Sequence, residues 1–275
     1  MPSPSTHTLP VSGGRLYYEV RGNGPLLLVV GSPMDASHFA PFADALASDR
    51  TVVTHDPRGI SRSALDDPAQ DSTPELRADD VAALLVALGA GSADVFGSSG
   101  GAVTGLALAV RHPGRVRTLV AHEPPLFGLL PDAAARHAEV DDIVATYHRD
   151  GVGAAWAKFM SAAGFDTGDG EDDGAPVAEP SAQPSAQDLA NSERFFAHEL
   201  LGTTRYLPDI PALTSGPSRI VVGIGAESGH LATYRTSTAL ADRLGTQPVE
   251  FPGDHGGFLG APRDFADALR KVLTG

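Results

Sequence analysis

The stretch that most constrains this chain is Val95-Phe96-Gly97-Ser98-Ser99-Gly100-Gly101-Ala102-Val103. Short apolar residues run into Gly-x-Ser-x-Gly, and small apolar residues follow at helical spacing. The pattern predicts a strand, a sharp turn and a helix, with a serine at the apex of the turn. A serine there sits in a strained backbone conformation that pushes its hydroxyl out at the carboxyl edge of a sheet. Glycine is needed at 97 and 101 because the turn is tight and the helix must pack close to the strand. Centring the motif on Ser98 would require glycine at 96, where Phe96 stands, so Ser99 is the candidate nucleophile. A plain glycine-rich turn or a phosphate cradle is the alternative, but no lysine follows at the spacing a phosphate loop needs.

The rest of the chain supplies the sheet that such a turn requires. Leu16–Val20 alternates as an early antiparallel strand, and Leu26–Val30 is a continuous apolar run suited to a strand buried on both faces. Strands are also expected at Thr51–Thr54, Asp94–Phe96, Val116–Ala121, Arg219–Ile224 and Val249–Phe251. Helical patterns fall at Phe39–Ala47, Pro74–Leu88, Ala102–Arg111, Thr236–Leu244 and Arg263–Leu273. This alternation predicts an α/β fold with a mostly parallel central sheet and helices on both faces. Between about Glu123 and Pro217 the strand rhythm stops, and Ala133–Tyr147, Gly153–Ala163 and Asn191–Leu201 read as helices. We expect a core of residues 1–123 and 218–275, with residues 124–217 forming a helical cap inserted before the acid-bearing strand. Within it, about 165–187 reads as a mobile acidic loop, with Asp166, Asp169, Glu171, Asp172 and Asp173 among Gly, Pro, Ser and Ala. Such a loop is solvated more often than it binds a metal ion or cationic group.

Composition narrows the function. The chain has 275 residues, 42% hydrophobic, enough for one sizeable core plus an insertion. Its net charge of −14 disfavours nucleic acid and anionic membrane surfaces as partners, because little here would neutralise phosphates. The absence of cysteine removes thiol catalysis, disulfides and thiolate metal sites. Met1–Pro10 has neither a basic nor an apolar leader segment, and no apolar run approaches a membrane span, so a cytoplasmic location is expected. A small-molecule substrate is the expected partner, and the pattern sets no oligomeric state.

A serine hydroxyl needs a base to take its proton and a group to orient that base. In this kind of fold the chain order is serine, acid, histidine. His255 lies in Pro252-Gly253-Asp254-His255-Gly256-Gly257, after the last expected strand, where glycines let a loop bring an imidazole over the sheet edge. A surface-loop histidine is the bland alternative. His7, His112, His137, His148 and His198 fall in the tail, at a helix end or in the insertion; His38, His55, His122 and His230 read as structural, with His122 the best competitor. Glu227, the only carboxylate in the turn after Arg219–Ile224, is the expected acid; its alternative role is a helix-start acid. Glu123, at the end of the preceding strand, is the rival. The developing oxyanion needs two backbone donors, assigned to the N–H groups of Gly100 and Ser32, since Pro33 has none. Apolar side chains from Phe127, Leu130, Trp156 and Phe159 are expected over Ser99, with Met34 and Phe258 on the lower wall. The insertion's aromatics could equally form their own core.

These stretches together resemble the α/β-hydrolase superfamily. Gly31-Ser32-Pro33 is similar to the family's His-Gly-x-Pro loop, and Asp56-Pro57-Arg58-Gly59-Ile60-Ser61-Arg62-Ser63 to its Asp-x-Arg-Gly-x-Gly-x-Ser turn. The Ser99 turn and the Glu227 and His255 loops complete the likeness. Val30 stands where the family often has histidine, and Ser61 where it has a second glycine. The resemblance implies a serine hydrolase of small esters, lactones or related acyl compounds, with no metal or organic cofactor. The Asp-Pro-Arg-Gly form is similar to the prolyl-aminopeptidase and esterase branches. Branches with an aspartate nucleophile, the haloalkane dehalogenases and epoxide hydrolases, do not fit Ser99. A ligand-sensing protein on the same scaffold, an aminopeptidase, and acyl transfer, perhydrolysis or C–C cleavage are the alternatives.

Overall fold

The computed structural model describes residues 3–165 and 184–275; the acids of the expected mobile loop, Asp166 to Asp173, lie outside the described residues. The strands are β1 (Ser5–Val11), β2 (Gly14–Arg21), β3 (Leu26–Val30), β4 (Thr51–His55), β5 (Ala64–Leu65), β6 (Ala93–Ser98), β7 (Val116–His122), β8 (Arg219–Gly225) and β9 (Val249–Phe251). Their spatial order is β1-β2-β4-β3-β6-β7-β8-β9, with β5 beside β2. The β1–β2, β2–β4 and β2–β5 pairs are antiparallel, and every pair from β4 to β9 is parallel. β1 was not expected from the sequence. It is an edge strand whose first four residues are exposed, so it carries little of the apolar pattern that marks a strand.

The helices are α1 (Ala40–Leu46), α2 (Pro74–Ala87), α3 (Gly100–Arg111), α4 (Ala133–Asp150), α5 (Val152–Ala163), α6 (Ala186–His198), α7 (Leu200–Arg205), α8 (Ile210–Ser215), α9 (Ala232–Leu244), α10 (Gly257–Gly260) and α11 (Pro262–Thr274). Successive strand residues point to opposite faces, and the core divides accordingly. Leu28, Val30, Val95, Leu119 and Ala121 pack with Val81 and Leu85 of α2, Leu106 of α3 and Leu240 of α9. Leu27, Val29, Phe96 and Val120 face the other way, onto Phe42 and Leu46 of α1 and Phe265 and Leu269 of α11. Thr73 caps α2 by accepting from the Leu76 N–H, with Pro74 in the first turn, so the sequence start signal matches the observed start.

The chain between β7 and β8 makes a 3₁₀ turn (Phe127–Leu129) and helices α4 to α8. Val140, Ile143 and Val144 of α4, Ala155 of α5, Phe195 and Phe196 of α6 and Leu200 of α7 form a third apolar cluster. Trp156 stacks on Phe195 with ring centroids 5.5 Å apart. The parallel register sets Ser98 beside His122 and His122 beside Gly223. The carboxyl ends of β6, β7 and β8 therefore share one edge, where ligands bind in open α/β sheets.

Candidate active site

Ser99 joins β6 to α3 with φ 55° and ψ −122°, a left-handed conformation that a non-glycine residue holds only under strain. The flanking glycines explain how the turn is accommodated. A Cβ on Gly97 would lie 2.4 Å from the Gly101 carbonyl oxygen, and one on Gly101 would lie 1.9 Å from that of Val30. The Ser99 N–H donates to the His122 carbonyl at 2.9 Å, which ties the turn to the end of β7.

His255 reaches the same edge from the turn between β9 and α10. Its Nδ1 lies 2.6 Å from Glu123 Oε2. Glu123 follows β7 directly and, like Ser99, has a positive φ, 49°. Its carboxylate is fully buried. Oε1 accepts the Gly225 N–H at 2.8 Å, and Oε2 also accepts the Thr233 hydroxyl at 2.9 Å. Burial opposes ionisation of this group. The hydrogen bond from His255, helped by the charge of His255, outweighs that and holds the carboxyl down at about 2. An ionised Glu123 fixes the Nδ1–H tautomer of His255 and leaves Nε2 free to accept a proton.

Glu227 does not occupy this position. It is exposed in the turn after β8, its N–H donates to Gly253, and its side chain makes no hydrogen bond or ion pair among the described residues. The reason lies in how closely the loops pack. A Cβ on Gly225 would lie 2.7 Å from the Asp254 carbonyl, so the histidine loop sits directly on the end of β8. The Gly225 N–H is spent on Glu123, and Glu227, two residues further on, faces solvent. Glu123 still falls between Ser99 and His255 in the chain, so the expected order is kept one strand early. The helical insertion consequently follows the strand that delivers this acid rather than preceding it. The signal available in the sequence was a lone carboxylate directly after an apolar strand, in Ala121-His122-Glu123-Pro124.

His122 lies behind the pair. It is fully buried, its Nδ1 is 3.2 Å from Ser98 Oγ, and its ring stacks on His255 at 6.2 Å. Burial drives it down to about 3, so it stays neutral beside Glu123 and His255.

Ser99 and His255 line one cavity of about 220 Å³. Of the apolar side chains expected near Ser99, Met34, Phe127, Trp156 and Phe159 line it, together with Phe165 and Phe195. Phe258 does not. It is 1% exposed and stacks on Phe39 at 5.1 Å in the core between α1 and α11, because the short helix α10 turns it inward. Leu130 is likewise buried away from the cavity. Trp156 and Phe159 serve both ways, lining the cavity and packing on the insertion's own core. Ser32 and Gly100 also line it, and neither amide has an acceptor among the described residues. Ser61 takes φ 49° in the place of a glycine, and its hydroxyl donates to Asp35 at 2.5 Å. Among the described residues no group of three or more His, Asp or Glu side chains is gathered as a metal site.

Comparison with known proteins places this geometry in context. The profile of the alpha/beta hydrolase fold family matches residues 24–164. An uncharacterized hydrolase, YraK, of Bacillus subtilis is 37% identical over 273 residues, covering 97% of this chain and 95% of that protein. The fold is similar to that of the esterase EaEST from Exiguobacterium antarcticum, with TM-score 0.75 and 17% identity over the whole of both chains. It is also similar to that of an enol-lactonase from Burkholderia xenovorans, with TM-score 0.66 and 20% identity over 98% of this chain and all of that one.

Proposed function

The chain is an enzyme of the α/β-hydrolase family, and on that premise we propose that it is a serine hydrolase that cleaves small, uncharged esters or lactones through an acyl-enzyme. The observation that carries this reading is a strained serine sharing an apolar cavity with a histidine whose far nitrogen is held by a buried, ionised glutamate. Ser99 Oγ attacks the substrate carbonyl carbon while His255 Nε2 takes the hydroxyl proton. Glu123 stabilises the imidazolium that forms. The oxyanion accepts hydrogen bonds from the Ser32 and Gly100 amides, each worth roughly 3–4 kcal/mol in the transition state. Collapse expels the alkoxide, which leaves with the proton from His255. Water, deprotonated by the same imidazole, then attacks the acyl-enzyme and returns Ser99 to its free form. The esterase and the enol-lactonase that share this fold are compatible with that chemistry.

An aminopeptidase would need a free acid in the pocket to hold the substrate amine. Glu139 lines the cavity, but Arg136 neutralises it at 2.7 Å, which weighs against that reading. The test is a p-nitrophenyl acyl ester assay with a fluorophosphonate probe. We expect labelling of wild type at Ser99, and a loss of about 10⁴-fold in turnover for well-folded Ser99→Ala. Wild-type protein that neither labels nor turns over any ester or lactone would instead point to a ligand-binding role.

A further inference from the structure

Glu199 is a carboxylate the mechanism above does not use. It sits at the junction of α6 and α7 and is 1% exposed, yet it reaches out of the insertion to the core. Ser32 Oγ donates to Glu199 Oε1. Arg77 of α2, 2% exposed, lies 3.4 Å from the same oxygen. Arg77 continues the chain of contacts: its Nε donates to Thr104 Oγ1 at 2.9 Å, and another guanidinium nitrogen donates to Thr203 at 2.9 Å. The Thr104 hydroxyl in turn donates to the Gly100 carbonyl at 3.1 Å. The network thus begins at Ser32 and ends at Gly100, two residues that line the cavity and whose amides have no acceptor among the described residues. Those residues also touch. A Cβ on Gly100 would lie 2.7 Å from the Ser32 carbonyl oxygen and 2.9 Å from its hydroxyl.

Further along the loop the Ala36 N–H donates to Asp56 and Asp35 accepts from Ser61, but among the described residues the Ser32 side chain itself is bonded only to Glu199. Val30 is apolar and buried, and Pro33 offers no N–H. Ser32 itself is held from the insertion, by a hydrogen bond to a carboxylate that lies against a buried arginine. Donors fixed before the reaction stabilise a developing charge without reorganising. Leu200, Thr203 and Thr204, on the helix that Glu199 begins, line the cavity, so the same segment both walls the cavity and bonds Ser32.

We propose that Glu199 is a positioning residue for the oxyanion donors: through Ser32 Oγ and the Arg77–Thr104 relay it fixes the Ser32 and Gly100 amides in the geometry that binds the oxyanion. This rests on the serine-hydrolase reading. The role is specific to the transition state, so its loss falls on kcat and leaves KM nearly unchanged.

The experiment is a double-mutant cycle on ester turnover with Ser32→Ala and Glu199→Gln, each checked for thermal unfolding. Ser32→Ala keeps the backbone N–H and the Arg77–Glu199 pair and removes only the tether. We expect each single variant to lose about 10- to 100-fold in kcat, with KM within about threefold of wild type. The double variant should be no worse than about threefold below the weaker single, because both break one link. Ser32→Ala with wild-type kcat overturns the proposal, as do losses that simply multiply in the double variant or fall on KM alone. Should Glu199→Gln fail to fold, the kcat of Ser32→Ala decides by itself. Wild-type protein without Ser99-dependent turnover overturns the serine-hydrolase reading and this proposal with it, and is distinguished from the other outcomes by the wild-type measurement alone.

Discussion

At the scale of single residues, the sharpest result is which glutamate meets His255. Glu123 is buried with three hydrogen-bonding partners around it, whereas Glu227 is exposed and unpaired among the described residues. Glu123→Gln should therefore lower kcat by about 10³- to 10⁴-fold, since an amide cannot stabilise the imidazolium and favours the wrong tautomer. Glu227→Gln should stay within about twofold of wild type, as surface changes away from such contacts do. Steady-state kinetics on one ester decides the ranking, and the reverse order would move the acid to the β8 turn. The same residue predicts a pH dependence of stability. Its folded value, about 2, lies below the ordinary 4.5, so ionised Glu123 stabilises the native state above 4.5. That contribution is lost as pH falls from 4.5 through 2. Chemical denaturation between those limits should show a shallower decline for Glu123→Gln than for wild type; parallel slopes would contradict the assignment.

At the scale of elements, the turn between β6 and α3 depends on close backbone approach. Gly101→Ala would drive a Cβ into the Val30 carbonyl, which is backbone and cannot step aside. We expect it to lower stability by at least about 3 kcal/mol or to prevent soluble expression. Gly91→Ala, with open space around the new methyl, should change stability by less than about 0.5 kcal/mol. Equal effects from the two would mean that the turn relaxes in a way its packing does not suggest. The strands and helices of the core were legible because their signals are local: apolar runs for β3 and β6, and proline in the first turn of α2. β1, the short β5 and α8 were not, because an exposed edge strand and elements of two to six residues have too few positions to show a period.

At the scale of the whole molecule, charge and cavity act together. The chain carries −14, and the cavity that holds Ser99 is walled mainly by aromatic and aliphatic side chains. The arginines that could have served an anionic substrate are engaged elsewhere: Arg58 is buried against Asp80 at 2.7 Å, and Arg205 pairs with Asp141 at 2.6 Å. A neutral acyl ester should exceed its anionic isostere in kcat/KM by about tenfold or more at low salt, with the gap narrowing as salt rises. An anionic ester turned over faster than the neutral one would show that a cation enters the site on binding.

The sequence by itself determined the sheet's buried strands, the Ser99 turn, the loop that carries His255 and the apolar character of the pocket's wall, because each is written in neighbouring residues and obeys local sterics. Only the tertiary structure decided which acid is hydrogen-bonded to His255, that Phe258 turns into the core, and that Glu199, 167 residues from Ser32, meets the loop after β3. Those pairings depend on how loops from different strands and the insertion settle over one sheet edge. Two candidate glutamates one strand apart differ in sequence by little; in the fold one is buried and hydrogen-bonded and the other faces solvent.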